Sequence, residues 1–217
     1  QIQFNVNFVV LTFSPCKERF HQRIQSLKTK FGFTSFAKVT ISAEHAVAVR
    51  TLGSPDAQLV IAEYFSMTCG HCGSFHTQTF PKVKSELIDT GKVRFEMYPF
   101  PLDGLALRAH ALCRALPESA YFTMVDILLS EQQKWIGAAD PIEALRGYGR
   151  IGGVSSAKFD AIMADRAFLE AIYQIRQDAY KEFNIESTPS FVVNKTHKFN
   201  GALGYDEFLK ELESFSV

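Results

Sequence analysis

Two cysteines separated by two residues, in Cys69-Gly70-His71-Cys72, are the side chains of this sequence with the plainest capacity for chemistry. The reacting species of a cysteine is its thiolate, and a thiol with an ordinary pKa of about 8.5 is mostly protonated at neutral pH. A thiol that opens a helix meets unpaired backbone N–H groups and the positive end of the macrodipole, worth at most ~2 kcal/mol. At about 1.4 kcal/mol per unit, this lowers the pKa by roughly one to two units. Further lowering needs specific donors, and the N–H groups after Cys69 and the His71 side chain between the cysteines can supply them. A stabilised thiolate stabilises the dithiol and makes the disulfide a better oxidant, ~30 mV corresponding to about 1.4 kcal/mol in this two-electron couple. Cys69, at the helix tip, is expected to be exposed and to exchange with client thiols or disulfides. Cys72, one turn further in, is expected to be buried and to resolve the mixed disulfide.

Other uses of the pair are weaker. A zinc site with His76 as third ligand is an alternative, but no second Cys-x-x-Cys or His-x-x-x-His completes it,. A structural disulfide across two intervening residues closes too small a loop to restrain the unfolded chain much. Two further cysteines, Cys16 and Cys113, bring the total to four in 217 residues, too few for a disulfide-stapled scaffold, so folding must rest on a hydrophobic core,. Cys113 shares a helix side with Ala109, Leu112 and Leu116 and reads as an inert core thiol, with a Cys16–Cys113 disulfide as the alternative,. His76 and His110 read as surface or core histidines and are assigned no chemistry. No metal and no cofactor beyond the redox-active Cys69–Cys72 disulfide is expected.

The elements around the pair follow from periodicity. Leu59 to Phe65 is apolar on both faces, as a buried central strand is, with Glu63 as its one charge,. Phe75, Phe80, Val83 and Leu87 then mark a helix over Cys72 to Leu87, with Pro81 as a kink,. The pair therefore sits where a strand turns into a helix. Val93 to Pro99 alternates as a second strand. Helical patterns over 105–116, 120–130, 141–148 and 158–165 build a helical block of roughly sixty residues. Asp140-Pro141-Ile142-Glu143 supplies an N-cap, a first-turn proline and a capping-box glutamate for one of them,. After Ala167 come a long amphipathic helix, strands over 190–194 and 197–203, and a last helix over 205–215. At the other end, Ile2, Phe4, Val6, Phe8 and Val10 alternate with polar residues as a half-buried strand, and 17–30 reads as a basic helix,. These first residues form an arm that packs on its own subunit or, alternatively, docks or oligomerises.

The chain is 47% hydrophobic and 21% charged, an ordinary globular composition,. With 23 basic and 23 acidic residues the formal charge is zero, so no global field favours nucleic acid or an anionic membrane, and no nucleic-acid partner is expected,. No apolar run approaches the roughly 20 residues that span a bilayer. The sequence begins at Gln1 without a basic segment followed by an apolar one, so any signal peptide is expected to have been removed already, which permits export without establishing it,.

Cys69-Gly70-His71-Cys72 and, far downstream, Thr188-Pro189 before the strand Ser190 to Asn194 together resemble the thioredoxin superfamily, the second as its cis-proline loop. The helical block between the Val93 strand and Pro189, and the passage Glu63-Tyr64-Phe65-Ser66-Met67-Thr68 into the motif, are similar to its DsbA-like branch. The resemblance covers about residues 47 to 217. It implies an α/β thioredoxin fold with an inserted helical domain and an N-terminal extension. The parts are an arm at 1–46, a thioredoxin domain at 47–103 and 167–217, and the insertion at 104–166. It also implies a thiol–disulfide oxidoreductase of the bacterial periplasm. Cys69 would be the nucleophile, Cys72 the resolving thiol and His71 a tuning group. Glu63, six positions before Cys69, would move the Cys72 proton, and Thr188 and Pro189 would hold the client chain. Unfolded exported proteins would be clients, and a DsbB-like membrane protein the redox partner. Strongly oxidising members usually carry Pro-His between the cysteines and Val before the cis-proline. Gly70-His71 and Thr188 lean instead towards isomerase-like members, so a DsbC- or DsbG-like isomerase or reductase is the alternative, and a client-binding chaperone a more distant one.

Overall fold

Ser42, accepting the His45 N–H through its side chain, caps the first described helix, α1 (Ala43–Val47). The computed structural model describes residues 41–215. The strand expected over 2–10, the basic helix over 17–30, and Cys16 with its possible pairing to Cys113 lie outside the described residues. α1 leads into a short strand, β1 (Arg50–Leu52), and then the central strand β2 (Leu59–Phe65). Neither α1 nor β1 is legible in the sequence, because five and three residues are too few to show a period.

Beyond the motif the chain is helical from Gly70 to Ile88, but the helix is not uniform. Its segments are α2 (Gly70–Ser74), a π-helical turn (Phe75–Thr79), α3 (Phe80–Val83) and a second π-helical turn (Lys84–Ile88). Proline at position 81 cannot donate its own backbone bond. The helix widens just before it, so that the Phe80 N–H reaches back five residues to the Phe75 carbonyl. This corrects the single kinked helix expected from sequence, and the correction matters for packing. Residues five apart on a regular α-helix lie about 140° apart, whereas the wide turn brings Phe75 and Phe80 to the same buried side, their rings 6.1 Å apart.

β3 (Val93–Pro99) follows, and then the helical block: α4 (Gly104–Arg114), α5 (Glu118–Ser130), α6 (Gln132–Ile136), α7 (Pro141–Ile151) and α8 (Ser156–Ala164). Asp103, Asp140 and Ser155 cap α4, α7 and α8 through their side chains. α6 is unforeseen, being too short to carry a periodic signal. Asp165 ends α8 and caps the next helix, α9 (Arg166–Phe183). α9 stops at Asn184, which takes the left-handed conformation. β4 (Ser190–Val193), β5 (His197–Asn200) and α10 (Tyr205–Leu212) complete the described chain, with a single 3-10 turn over 213–215. β5 ends three residues earlier than expected, because Gly201 turns the chain at φ 99° and donates its N–H to the Pro189 carbonyl at 2.9 Å.

The five strands lie in the order β1-β3-β2-β4-β5. β2 and β3 are parallel, joined through the helix that follows the motif, and the other pairings are antiparallel. One face of β2 buries Ile61, Glu63 and Phe65, while Tyr64 on the other face belongs to a cluster with Phe100, Ala179, Ile185 and Val192. A second, aromatic cluster joins Phe75, Phe191, Phe199 and Phe208, with ring centroids 4.8 to 5.7 Å apart. α1 packs on α9, so residues 43–46, which the sequence reading gives to the arm, lie in an element packed on the thioredoxin part. Among the described residues no helix is long and apolar enough to cross a membrane.

Candidate active site

β2 delivers the motif and β4 brings the proline loop to it. The two strands pair antiparallel with Tyr64 opposite Ser190, and continuing that register sets Thr188 opposite Ser66, at the entrance to the motif. The Ser66 carbonyl accepts the Cys69 N–H at 3.2 Å, which turns the chain, and Cys69 becomes the N-cap of α2. Its thiol is partly exposed and donates to the Thr188 carbonyl at 3.2 Å, and the Thr188–Pro189 peptide is cis. The two halves of the sequence signal, 119 residues apart, are thus in contact.

The two thiols differ in environment. Cys72 is fully buried, and the Ser66 N–H reaches its sulfur at 3.5 Å. Burial, donation of its hydrogen to Cys69 and the nearby negative charge of Glu63 push its pKa well above that of an ordinary thiol,. The Cys69 pKa is lowered to about 5. The largest cause is the hydrogen bond received from the Cys72 thiol, opposed by partial burial and assisted by Thr188 and the N–H groups of Cys72 and His71. The Thr188 hydroxyl is buried and has no partner while Cys69 is a thiol, which leaves it available to the thiolate. What His71 gives to Cys69 is its backbone N–H, and the residue itself is exposed.

The surrounding loop is fixed from the inserted block. Gln132, at the start of α6, donates from one amide nitrogen to the Met67 carbonyl at 2.8 Å and the Cys69 carbonyl at 2.9 Å. Thr68 donates to Asp103 at 2.7 Å, the residue that caps α4. Close approach of α2 to this block requires Gly73, where a Cβ would lie 3.0 Å from Gln132 Oε1 and 3.3 Å from the Leu129 carbonyl oxygen. An open groove of about 580 Å³ runs along this seam past His71, Ser74, Thr77, Gln132 and Lys134.

Glu63 is fully buried on β2, and its carboxylate takes the Nε2–H of His76, with Nε2 2.9 and 3.1 Å from the two oxygens. His76, to which the sequence reading assigns no chemistry, is therefore a member of this site, and it points at Glu63 rather than completing a metal site with the cysteines. The i, i+4 spacing from Cys72 was the only signal for it. His110 is a core histidine, its ring set edge-on to Phe65 and its pKa pushed down to about 3 by burial and by Arg114. Cys113 is fully buried and has no disulfide partner among the described residues, and burial raises its pKa.

The family model for thioredoxin matches residues 45–214. A candidate protein-disulfide oxidoreductase of Rickettsia bellii is 32% identical over 144 residues, covering 66% of this chain and 56% of that protein. One from Rickettsia conorii is 29% identical over 170 residues, 78% of this chain and 61% of its own. The chain thus spans little more than half the length of these relatives. Disulfide bond formation protein D of Bacillus subtilis is 24% identical over 177 residues, covering 75% and 74%. Among solved structures, alpha-DsbA1 of Wolbachia pipientis superposes with a TM-score of 0.69 at 25% identity, over 77% of this chain and 90% of that one. Oxidised BdbD of Bacillus subtilis superposes with a TM-score of 0.63 at 18% identity, over 83% and 98%. The likeness extends to the helical insertion, so the fold is the DsbA-like form of the thioredoxin fold.

Proposed function

The chain belongs to the thioredoxin family, in its DsbA-like branch, and we propose that it is a thiol–disulfide oxidoreductase that donates the Cys69–Cys72 disulfide to exported proteins. The observation that carries this reading is the unequal placement of the two thiols, Cys69 partly exposed at the N-cap of α2 against the Thr188 carbonyl and the cis Pro189, Cys72 fully buried one turn in, a placement that lowers the pKa of the first and raises that of the second. A client thiolate attacks Cys69 Sγ of the disulfide, the Cys69–Cys72 bond breaks, and Cys72 leaves and takes up a proton. A second client thiol loses its proton and attacks the client sulfur of the mixed disulfide. Cys69 then leaves as a thiolate, and its low pKa makes it a good leaving group. The client has lost two electrons and two protons, and the protein holds the electrons as its dithiol, without a further cofactor.

Thr188 and Pro189 stand beside the reacting sulfur, and we assign to their backbone the alignment of the client chain, with the groove along α2 and α6 as the space it enters. Glu63 is assigned the proton of Cys72, and His71 a backbone contribution to the Cys69 thiolate. The compartment that suits this chemistry is the bacterial periplasm, with a DsbB-like membrane protein as the reoxidant. An isomerase or reductase reading is favoured by one observation, the Thr188 hydroxyl that a valine would not provide.

Equilibration of the dithiol with glutathione buffers separates a donor or isomerase from a reductase, and the solution mass separates donor from isomerase. A potential at or above the roughly −120 to −180 mV of DsbA and protein disulfide isomerase supports the donor reading, and one near the roughly −270 mV of thioredoxin overturns it. A solution mass showing several active sites in one assembly, with a potential in the isomerase range, would move the assignment to isomerase.

A further inference from the structure

A thiol sealed in the core cannot exchange its proton with water directly, and neither can a fully buried carboxylate beside it. Cys72 and Glu63 are both in that position. If Glu63 passes the Cys72 proton on and remains the carboxylate seen in the structure, a further group must connect it to solvent. His76 is the buried group that joins Glu63 to something outside. Its Nε2 side is occupied by the Glu63 carboxylate at 2.9 Å, and its Nδ1 is buried with no hydrogen-bond partner. That orphan nitrogen faces the Asp126 carboxylate of α5 at 4.0 Å, and the Asp126 side chain is half exposed to solvent. Rings of Phe65, Phe75 and Phe80 pack around the imidazole, at centroid distances of 5.8, 5.6 and 4.7 Å.

We propose that His76 and Asp126 carry the Cys72 proton between the buried Glu63 and solvent. The proposal rests on the thiol–disulfide reading of the site. An imidazole is suited to the task because its two nitrogens can take a proton on one side and release one on the other. When Cys72 leaves as a thiolate, the proton it gains comes from the Glu63 side. Glu63 hands on to Cys72 a proton it takes from Nε2 of His76 and remains a carboxylate, while Nδ1 takes a proton from the Asp126 carboxyl, which refills from solvent, after a small rotation of that half-exposed side chain closes the 4.0 Å gap. In the opposite direction, Cys72 gives its proton to Glu63 as it attacks the mixed disulfide, Glu63 hands it to Nε2, and Nδ1 releases its proton to Asp126. Each half-cycle restores the protonation the other began with, and Glu63 stays a carboxylate in both.

The groups facing His76 are Glu63 from β2 and Asp126 from α5, with Lys84 beyond Asp126 on the helix that carries His76 itself. Both carboxylates favour the imidazolium and burial opposes it, the balance placing the His76 pKa above its ordinary value. His76 and Asp126 are positioning residues, since neither touches a reacting sulfur.

The test uses the reduced protein and dithiobis-nitrobenzoate, which gives two separable releases of coloured thiolate. The first reports attack by Cys69, and the second reports attack by Cys72 on the resulting mixed disulfide. In Asp126→Asn the first release keeps its wild-type rate and pH midpoint, because no donor to Cys69 is altered. In Asp126→Asn and in His76→Gln the second release falls at least about tenfold, less than the roughly 100-fold or more that a group acting directly on the reacting atom contributes, because neither residue touches a sulfur. Its pH profile flattens, and imidazole buffer or the Asp126→Glu variant restores it in the Asp126→Asn background. Asp126 is half exposed, so its variant decides the matter even if the buried His76 replacement fails to fold. A second release at the wild-type rate and with the wild-type pH profile in Asp126→Asn overturns the proposal. If Glu63→Gln alone is slow, the proton leaves Glu63 by another route and only the His76–Asp126 path falls. If the wild-type protein itself gives no second release, the thiol–disulfide reading falls with it.

Discussion

The Cys69 thiolate is held by short-range donors, the Cys72 thiol first, then Thr188 and the N–H groups of the helix tip. That ordering makes the two thiols separable by a single atom. Cys72→Ala removes the donor and raises the Cys69 pKa clearly above 5, whereas Cys72→Ser keeps a hydroxyl donor and leaves it near the wild-type value. Ultraviolet absorbance of the thiolate, followed against pH, reads both. The same titration on the wild-type protein is expected to give a midpoint near 5, with alkylation of Cys69 by iodoacetamide rising through that pH.

At the scale of elements, the motif is held between β2 and the inserted block by a few polar contacts that cross long stretches of chain. Gln132 satisfies the carbonyls of both Met67 and Cys69 and is itself buried. Gln132→Leu leaves those acceptors unpaired and is expected to cost about 1 to 3 kcal/mol of stability, measured by urea unfolding. Gly73→Ala attacks the same seam from the other side. Its new methyl would meet Gln132 and the Leu129 carbonyl, and overpacking of this kind costs about 1 to 3 kcal/mol. Because both act on the support of Cys69, each is also expected to slow attack by Cys69. A loss of stability with unchanged Cys69 reactivity would mean the seam supports the fold alone.

For the whole molecule, the low Cys69 pKa ties redox state to stability. Its folded value of about 5 lies below the ordinary thiol value of 9.0, so ionisation is easier in the folded dithiol than in the unfolded one. The stabilisation this gives the reduced protein is complete above pH 9.0, declines as pH falls, and is gone below about 5,. Cys72 acts in the opposite sense only where an unfolded thiol would ionise, since its folded pKa is raised. Between pH about 5 and 8, of the two thiols, only Cys69 therefore contributes. Thermal unfolding of the oxidised and reduced proteins across that window is expected to show the advantage of the reduced form growing with pH. An advantage independent of pH would mean that strain in the disulfide, rather than the thiolate, sets the difference.

The sequence by itself determined the elements that carry their own period. The apolar run of β2, the alternation of β3, the capped helices of the insertion and the long amphipathic α9 were all legible, because burial of one face writes a pattern into consecutive residues. It also marked the strand-to-helix placement of Cys69 and Cys72, and it pointed to Glu63 and to Thr188-Pro189 as members of one site through their resemblance to a family. Only the tertiary structure decided how these meet. Pro81 marked an irregularity without its form, α6 is too short to show a period, and the pairing of Glu63 with His76 leaves no local trace, since it depends on what packs against the chain from elsewhere. Gln132 lies 63 residues from the Cys69 carbonyl it binds, and His76 is 13 residues from Glu63 on a different element. A histidine at that spacing is ordinary in sequence, and its chemistry is set by the buried carboxylate opposite it and the half-exposed one behind.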